Sequence, residues 1–247
     1  MTLVESVEAF IAMKRRLGRK YTAEAWVLGR FQSFVTENGG VLDATTFTAW
    51  SSSMGHLRGT TRRGRMRIVR SLCLYRQRTV PDCFVPKVGA FPPAGSYRRP
   101  YIFTHAEIGR LLALTDDLQP HKFSPLCPNS YRLAVVLLYA AGLRRGELAR
   151  LRLRDFDDEE STLQIRSSKF RKSRMVALSN DASREMRAFM EVRRQLSDGP
   201  DDPLFVRSTG SGLVGRSAAG MGNALKRLFR GAGIHRADGT PPRVHDL

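Results

Sequence analysis

The sequence predicts a mainly α-helical protein with a small β-sheet. Apolar residues recur at helical spacing through the first 80 residues. A stretch rich in Pro and Gly, residues 85–100, then interrupts all periodicity. After it, two short runs of alternating apolar and polar residues flank a basic segment, which is typical of paired strands. A chain of 247 residues also suits two modest domains.

Four helices are predicted before the Pro- and Gly-rich stretch. The second should begin at an N-cap formed by Thr22 and end at the glycine pair Gly39 and Gly40, because glycine at this position favours a left-handed helix end. The predicted ranges of the four helices are 4–17, 23–38, 45–53 and about 60–78.

The fourth helix is the most basic part of the chain. Eight arginines and no acid lie between Arg58 and Arg78. Most charge runs are solvated faces, but those usually mix both signs. Eight like charges repel one another, and a polyanion such as DNA relieves this repulsion while its counterions are released. The arginines predicted to contact DNA here are Arg58, Arg62, Arg63, Arg65, Arg67 and Arg70.

Residues 85–100 are interpreted as a linker between a domain over 1–84 and a second domain over 101–247. Arg98 and Arg99 would suit a linker that lies along a polyanion. In the second domain, Thr104 and Glu107 form a capping box at the start of a helix. The further predicted helices span 131–141, 182–196 and 216–229, and the predicted strands span 163–166, 175–178 and 204–207.

The composition restricts the partners. The formal net charge is +18 and the isoelectric point is about 10.9. Such charge suits nucleic acid, an anionic membrane or an acidic protein. We predict nucleic acid and no membrane partner, because the charge is spread over the chain rather than along one amphipathic helix with exposed aromatics. No apolar run of 18 residues and no signal peptide is present, and the three scattered cysteines indicate reduced packing residues, so a cytoplasmic location is expected.

A candidate site begins after the apolar helix that ends near Ala141. Gly142 allows a tight turn, Arg144 follows it, and Glu147 lies one helical turn further on. Such a turn can hold a guanidinium at the edge of a core and direct it outward. The alternative is an ordinary packing corner in which Arg145 pairs with Glu147.

The run Gly-Leu-Arg-x-x-Glu-Leu at 142–148, continued by Leu-x-Leu-x-x-Asp-Phe at 151–156, resembles the first catalytic-arginine motif of the tyrosine recombinase (phage integrase) family. Val-His-Asp-Leu at 244–247 is similar to the family's later histidine box. The resemblance implies a helical core-binding domain over 1–84 and an α+β catalytic domain over 101–247. It assigns catalytic roles to Arg144, Lys169 and His245, with Glu147 in support.

The lysine would lie in a β-hairpin loop, where Lys172 is the alternative to Lys169, and where Arg171 and Lys172 would contact DNA. The resemblance implies chemistry without metal or cofactor. A tyrosine hydroxyl attacks a phosphodiester of double-stranded DNA and forms a 3′-phosphotyrosyl link. It also implies a homo-oligomer, four protomers on two duplexes, and a bacterial or phage protein of a mobile element that acts at the nucleoid.

In the family the His-Asp-Leu run continues with Arg-His, and the tyrosine comes later. This sequence stops at Leu247, and its six tyrosines (21, 75, 97, 101, 131 and 139) do not occupy the nucleophile position. The expectation is a catalytic domain cut short before the second arginine and the nucleophile, hence a chain inactive alone. The alternative function is a non-catalytic DNA-binding protein, a natural truncation that occupies recombination sites.

Two other motifs predict little. Residues 210–215 fit G-x-G-x-x-G, but no second parallel strand follows, so a glycine-rich loop is favoured over a dinucleotide site. The acids between Asp155 and Glu160 could hold a metal in a nuclease, although a solvated turn is the more common role of such a run. No metal site is predicted.

Overall fold

The computed structural model describes residues 2–95, 99–166 and 173–247. The chain divides into two compact units, residues 1–98 and residues 99–247. The predicted fold class is confirmed, because both units are mainly helical and the strands form two small antiparallel sheets. In the described part of the chain, no helix has the length and apolar character needed to cross a bilayer.

Over residues 2–95, the first unit contains four α-helices around one apolar core. Phe10, Leu28, Phe31 and Leu72 are each at most 2% exposed in this core. Burial of such large side chains, at about 1.5–3 kcal/mol each, is what holds these short helices together. The helices are α1 (Leu3–Arg16), α2 (Thr22–Glu37), α3 (Ala44–Ser53) and α4 (Gly59–Arg76).

The two ends of α2 show what local sequence can and cannot specify. The end is as predicted, because Gly39 has a φ of +93° and Gly40 N donates to Val35 O at 2.8 Å. The predicted N-cap was wrong by one residue, since Tyr21 precedes the helix with a φ of +48°. The Tyr21 ring packs edge-on against Phe10, with centroids 5.9 Å apart, so core packing holds an unusual backbone conformation.

Residues 85–95, predicted to be part of a linker, pack against the first unit. Phe91 is 6% exposed and its ring centroid lies 6.2 Å from that of Phe47. Two arginines of α4 donate to carbonyls of this segment. Arg63 Nη1 lies 2.6 Å from Pro92 O, and Arg70 Nε lies 3.0 Å from Pro86 O. Part of the positive charge of α4 therefore has a structural partner.

The second unit surrounds a buried helix, α6, whose Ala134, Val135 and Leu137 are fully inaccessible. Strands β1, β2 and β3 form an antiparallel sheet in that order, and β4 and β5 form a hairpin. The helices are α5 (His105–Asp116), α6 (Cys127–Ala140), α7 (Arg145–Leu148), α8 (Asn180–Arg194) and α9 (Ala218–Gly231). The strands are β1 (Phe156–Asp157), β2 (Thr162–Ile165), β3 (Arg174–Ala177), β4 (Val206–Thr209) and β5 (Gly212–Gly215).

The β4–β5 hairpin corrects two expectations. The predicted strand 204–207 is shifted, because Leu204 and Phe205 are buried residues of a bend before β4. Leu204 N donates to Leu151 O, and Phe205 O accepts from Arg216 N. The predicted glycine-rich loop at 210–215 is a turn and a strand, since Thr209 pairs with Gly212 across a two-residue turn. Two apolar residues between glycines were too short a pattern to reveal β5.

A fully buried arginine organises the loop after α8. Arg193 is 0% exposed, and its guanidinium donates to the carbonyls of Ser197, Pro203 and Leu204 at 2.8 to 3.2 Å. Burial lowers the pKa of Arg193 from its ordinary value. A backbone bond from Leu153 N to Asp202 O, at 3.0 Å, then links this loop to the region that follows α7.

We expect Arg193→Ala to lower the free energy of unfolding by about 3 kcal/mol, because three carbonyls, those of Leu204, Pro203 and Ser197, would lose their donor. Arg194→Ala is the matched control, since Arg194 is exposed on the same helix. Urea unfolding of both variants measures the difference. Equal stability of the two variants would contradict the structural role of Arg193.

Candidate functional site

The candidate site begins at the turn that closes α6. Gly142 has a φ of +59°, which a residue with a side chain rarely adopts, so the predicted need for glycine is confirmed here. Leu143 is 5% exposed and anchors the turn in the core. Arg144 follows in an extended conformation, with φ −76° and ψ 145°, and forms the N-cap of α7.

Glu147 lies beneath this turn with only 1% of its side chain exposed. Its carboxylate accepts from Arg144 N at 3.0 Å and from Arg144 Nη1 at 2.8 Å. The side chain of Arg144 remains 54% exposed. Because a buried carboxylate needs cationic and N–H partners, Glu147 holds Arg144 at its backbone N–H and at one terminal guanidinium nitrogen, while about half of the side chain stays accessible to solvent.

A second arginine shares the same carboxylate. Arg174 donates from Nη1 to Glu147 Oε1 at 3.0 Å and from Nη2 to Oε2 at 2.9 Å. The hydrogen bond to Glu147 raises the pKa of Arg174 above its ordinary value. Arg174 was not among the predicted site residues, because it is one of several cations in a basic stretch and no local pattern marks which of them reaches back to α7.

The predicted lysine and its neighbours Arg171 and Lys172 lie in 167–172, outside the described residues, as does Arg98. Both flanks of 167–172 are described and each is tied to a buried acid. Arg166 Nε lies 2.6 Å from Asp155 Oδ1, and the Asp155 side chain is 3% exposed. On the other side, Arg174 binds Glu147. Both ends of this connection are therefore fixed to the region around α7.

His245 is exposed and lies in a turn closed by Asp246 N and Arg243 O at 2.8 Å. Asp246 has a 1% exposed side chain and accepts from Arg236 Nη2 at 2.6 Å and Arg243 Nη2 at 2.7 Å. Val244, at 4% exposed, fixes the turn to the core. The imidazole is thus presented outward by a turn that is held on both sides.

The predicted DNA-contacting arginines in α4 and at its N-cap fall into two groups. Arg58 and Arg67 are exposed, whereas Arg62, Arg63, Arg65 and Arg70 are half-buried. The Arg65 guanidinium stacks on Trp26, 5.1 Å from the ring centroid, and Trp26 is 55% exposed. In the second unit, Arg99 is exposed and its carbonyl accepts from Arg236 Nη1 at 3.0 Å.

The acidic run does not converge on one point. Asp155 is buried and pairs with Arg166, whereas Asp158 is exposed and pairs with Arg187. Within residues 2–95, 99–166 and 173–247, no group of three or more His, Cys, Asp or Glu side chains is arranged to hold a metal ion. These two acids of the run act here as partners of arginines.

Comparison with known sequences links these features to one family. Residues 102–247 match the phage integrase family. The protein y4rB of Sinorhizobium fredii, which is named as an integrase/recombinase, is 29% identical over 252 residues, covering all of this chain and 79% of the relative. The tyrosine recombinase XerA of Thermococcus kodakarensis is 33% identical over 107 residues, covering 43% of this chain and 35% of the relative.

Solved structures share the fold. The integrase of transposon Tn1549 in complex with transposon right-end DNA superposes with a TM-score of 0.66 at 16% identity, covering all of this chain and 84% of that chain. The lambda integrase bound to DNA gives a TM-score of 0.61 at 16% identity, covering all of this chain and 83% of that chain.

The stability of the turn that presents His245 should depend on pH, because this turn is held by the ionised carboxylate of Asp246. Burial alone would raise the pKa of this carboxyl, but hydrogen bonds from Arg243 and Arg236 outweigh it and hold the pKa at about 2. The unfolded carboxyl titrates near 3.9. The ionised form therefore contributes stability that is complete above about pH 4 and is lost as the pH falls through about 2, with a size of about 2–3 kcal/mol.

We expect Asp246→Asn to have a lower free energy of unfolding than the parent chain at pH 7. This difference, the gap between the two chains, should narrow as the pH approaches 2. Urea unfolding at several pH values measures the gap. Asp181→Asn, which changes an exposed acid with 87% side-chain exposure, is the control. A gap of the same size at pH 7 and near pH 2 would assign the effect to packing rather than to ionisation.

Proposed function

The chain belongs to the phage integrase family, and we propose that its residues 1–247 bind double-stranded DNA and direct Arg144, Lys169 and His245 to one scissile phosphodiester. The family is one of site-specific recombinases and integrases. In the intact reaction, DNA is cut and rejoined through a covalent protein–DNA link. The proposal for this chain concerns which of its own groups take part.

One observation carries the proposal: a half-exposed arginine side chain held in place by a buried carboxylate. Arg144 follows a glycine turn, is bound at its backbone N–H and at Nη1 by Glu147, and keeps 54% of its side chain accessible. A cation fixed before the substrate arrives requires little reorganisation when a phosphate docks. An arginine that served only the core would be covered.

The proposed chemistry is stabilisation of a phosphoryl transition state. Arg144 and His245 would donate to the non-bridging oxygens as negative charge grows there. Lys169 would give a proton to the departing 5′-oxygen, so that the P–O5′ bond breaks as a tyrosyl–phosphate bond forms. The phosphotyrosyl link conserves the bond energy, so rejoining needs no ATP. Each preorganised donor of this kind is worth roughly 10²–10³ in rate.

The first unit supplies most of the proposed DNA-binding surface. Arg58 and Arg67 are exposed arginines of the basic region, and Arg65 is preorganised by stacking on Trp26. The net charge of +18 favours association with a polyanion. The Tn1549 and lambda integrases share the fold and were solved with DNA, which supports this partner. Assembly of four protomers on two duplexes, and action in the cytoplasm at the nucleoid, complete the proposal.

The nucleophile is proposed to lie outside residues 1–247. Among the described tyrosines, Tyr131 is 9% exposed and its hydroxyl accepts from Arg216 Nη1 at 3.0 Å. Tyr101 donates to Glu107, and this hydrogen bond raises the pKa of Tyr101. Both hydroxyls have structural partners. We propose that the 247-residue polypeptide binds DNA but transfers no strand by itself, because none of its six tyrosines stands in the family's nucleophile position.

Duplex binding should weaken steeply with salt. Each phosphate neutralised adds about 0.9 to the magnitude of the slope of log K against log salt concentration. We expect Arg58→Ala and Arg67→Ala each to lower this magnitude by about 0.9, measured by fluorescence anisotropy with a mixed-sequence duplex. Arg184→Ala is the matched control, because it removes the same charge from an exposed position on α8. A flat salt response of the parent chain would remove DNA as the partner.

Incubation of the 247-residue polypeptide with a nicked duplex that traps covalent intermediates should give no protein–DNA adduct. Denaturing electrophoresis measures the adduct, and an active tyrosine recombinase on its own nicked site serves as the positive control. If an adduct forms, peptide mapping of the modified tyrosine identifies a nucleophile within residues 1–247, and the proposed inactivity is wrong.

A further inference from the structure

We propose that Arg174 is a positioning residue that holds Arg144 in place through the shared carboxylate of Glu147. The inference rests on the proposed role of Arg144 at the scissile phosphate. It adds a residue that neither the sequence motif nor the family comparison selects. In this role Arg174 acts on the substrate only through Glu147 and Arg144.

The geometry of the shared carboxylate supports this role. Glu147 Oε1 accepts from both Arg144 Nη1 at 2.8 Å and Arg174 Nη1 at 3.0 Å. Its Oε2 accepts from Arg144 N at 3.0 Å and Arg174 Nη2 at 2.9 Å. Each oxygen thus contacts both arginines. Neither arginine can move without changing the bonds available to the other.

The two arginines bind the carboxylate differently. Arg174 donates two parallel bonds from its guanidinium, the bidentate geometry that fixes a carboxylate in both position and plane. Arg144 approaches it through Nη1 and through its own backbone N–H. If Arg174 were absent, Glu147 could rotate to bind the Arg144 guanidinium more fully. This rotation would draw Arg144 inward, away from the position that a phosphate needs.

Arg174 lies at the start of a strand, so its bonds to Glu147 join the β2–β3 sheet to the turn of Arg144. Arg174 begins β3 and pairs with Ile165 across the β2–β3 ladder, so it lies where the 167–172 connection rejoins the sheet. The other flank is held by Arg166 and the buried Asp155. The proposed Lys169 lies between these two anchors in the chain. The Arg174–Glu147 pair therefore fixes the start of β3 to the turn that carries Arg144.

A double-mutant cycle tests the coupling on the whole polypeptide. We would measure affinity for a 30-bp mixed-sequence duplex at one salt concentration for Arg144→Ala, Arg174→Ala and the double variant. Each single variant should bind about tenfold more weakly, because each removes or misplaces one charge-assisted hydrogen bond to the phosphate. The double variant should be no more than about twofold weaker than Arg144→Ala, because Arg174 acts through Arg144.

The conservative variant separates position from charge. Arg174→Lys keeps the positive charge but cannot make two parallel bonds, so it should bind DNA about as weakly as Arg174→Ala. Arg187→Ala is the matched control, since Arg187 pairs with the exposed Asp158 and its removal should leave affinity within about twofold. Full rescue by lysine would overturn the positioning role.

A second measurement does not need DNA. The Arg144 amide donates to Glu147 Oε2, so its hydrogen exchange reports the orientation of the carboxylate. We expect this exchange to be several-fold faster in Arg174→Ala than in the parent chain or in Arg187→Ala. Unchanged exchange of the Arg144 amide overturns the coupling, whatever the DNA measurements give.

The outcomes also separate this inference from the proposed function. If Arg144→Ala leaves DNA affinity unchanged, the phosphate role of Arg144 fails, and the amide exchange still decides whether Arg174 controls Glu147. If the two single effects add fully and the salt slope falls by a further 0.9 or so with Arg174→Ala, Arg174 contacts phosphate itself and the positioning role is wrong.

Discussion

The carboxylate of Glu147 is the constraint on which the candidate site depends. A carboxylate with 1% exposure is unfavourable unless cations and N–H groups compensate it. Arg144 and Arg174 supply this compensation from two different elements. Because they come from the turn after α6 and the start of β3, the buried charge ties a helical turn to a strand. The apolar core fixes where these elements pack, and the acid fixes how their ends meet.

The same arrangement recurs at the other positions of the site. Asp155 and Asp246 have side chains that are 3% and 1% exposed, and each holds at least one arginine that reaches the surface. The chain has 41 basic and 23 acidic residues, so acids are scarce. Placing several of them inside, beneath exposed arginines, lets the protein fix selected cations while most of the positive charge stays available to solvent and to a polyanion.

Sequence reasoning succeeded where the determinant is local. The capping box of Thr104 and Glu107 and the positive φ of Gly142 depend on residues within one turn of each other, and both are present. It failed where a contact between residues far apart in the sequence determines the conformation. Tyr21 adopts its conformation because Phe10 packs on it, and Arg174 reaches Glu147 from 27 residues away. The pairing of β4 with β5 likewise depends on a turn, since the strands themselves carry little apolar pattern.

The packing of residues 85–95 on the first unit bears on how the N-terminal half can be separated from the rest. Proteolysis or recombinant expression that ended this half at residue 84 would remove Phe91 from the aromatic cluster around Phe47. It would also deprive Arg63 and Arg70 of their carbonyl acceptors. An autonomous N-terminal fragment should therefore extend through Gly95. Residues 85–95, whose composition predicted a linker, would then remain packed against the helices of the first unit.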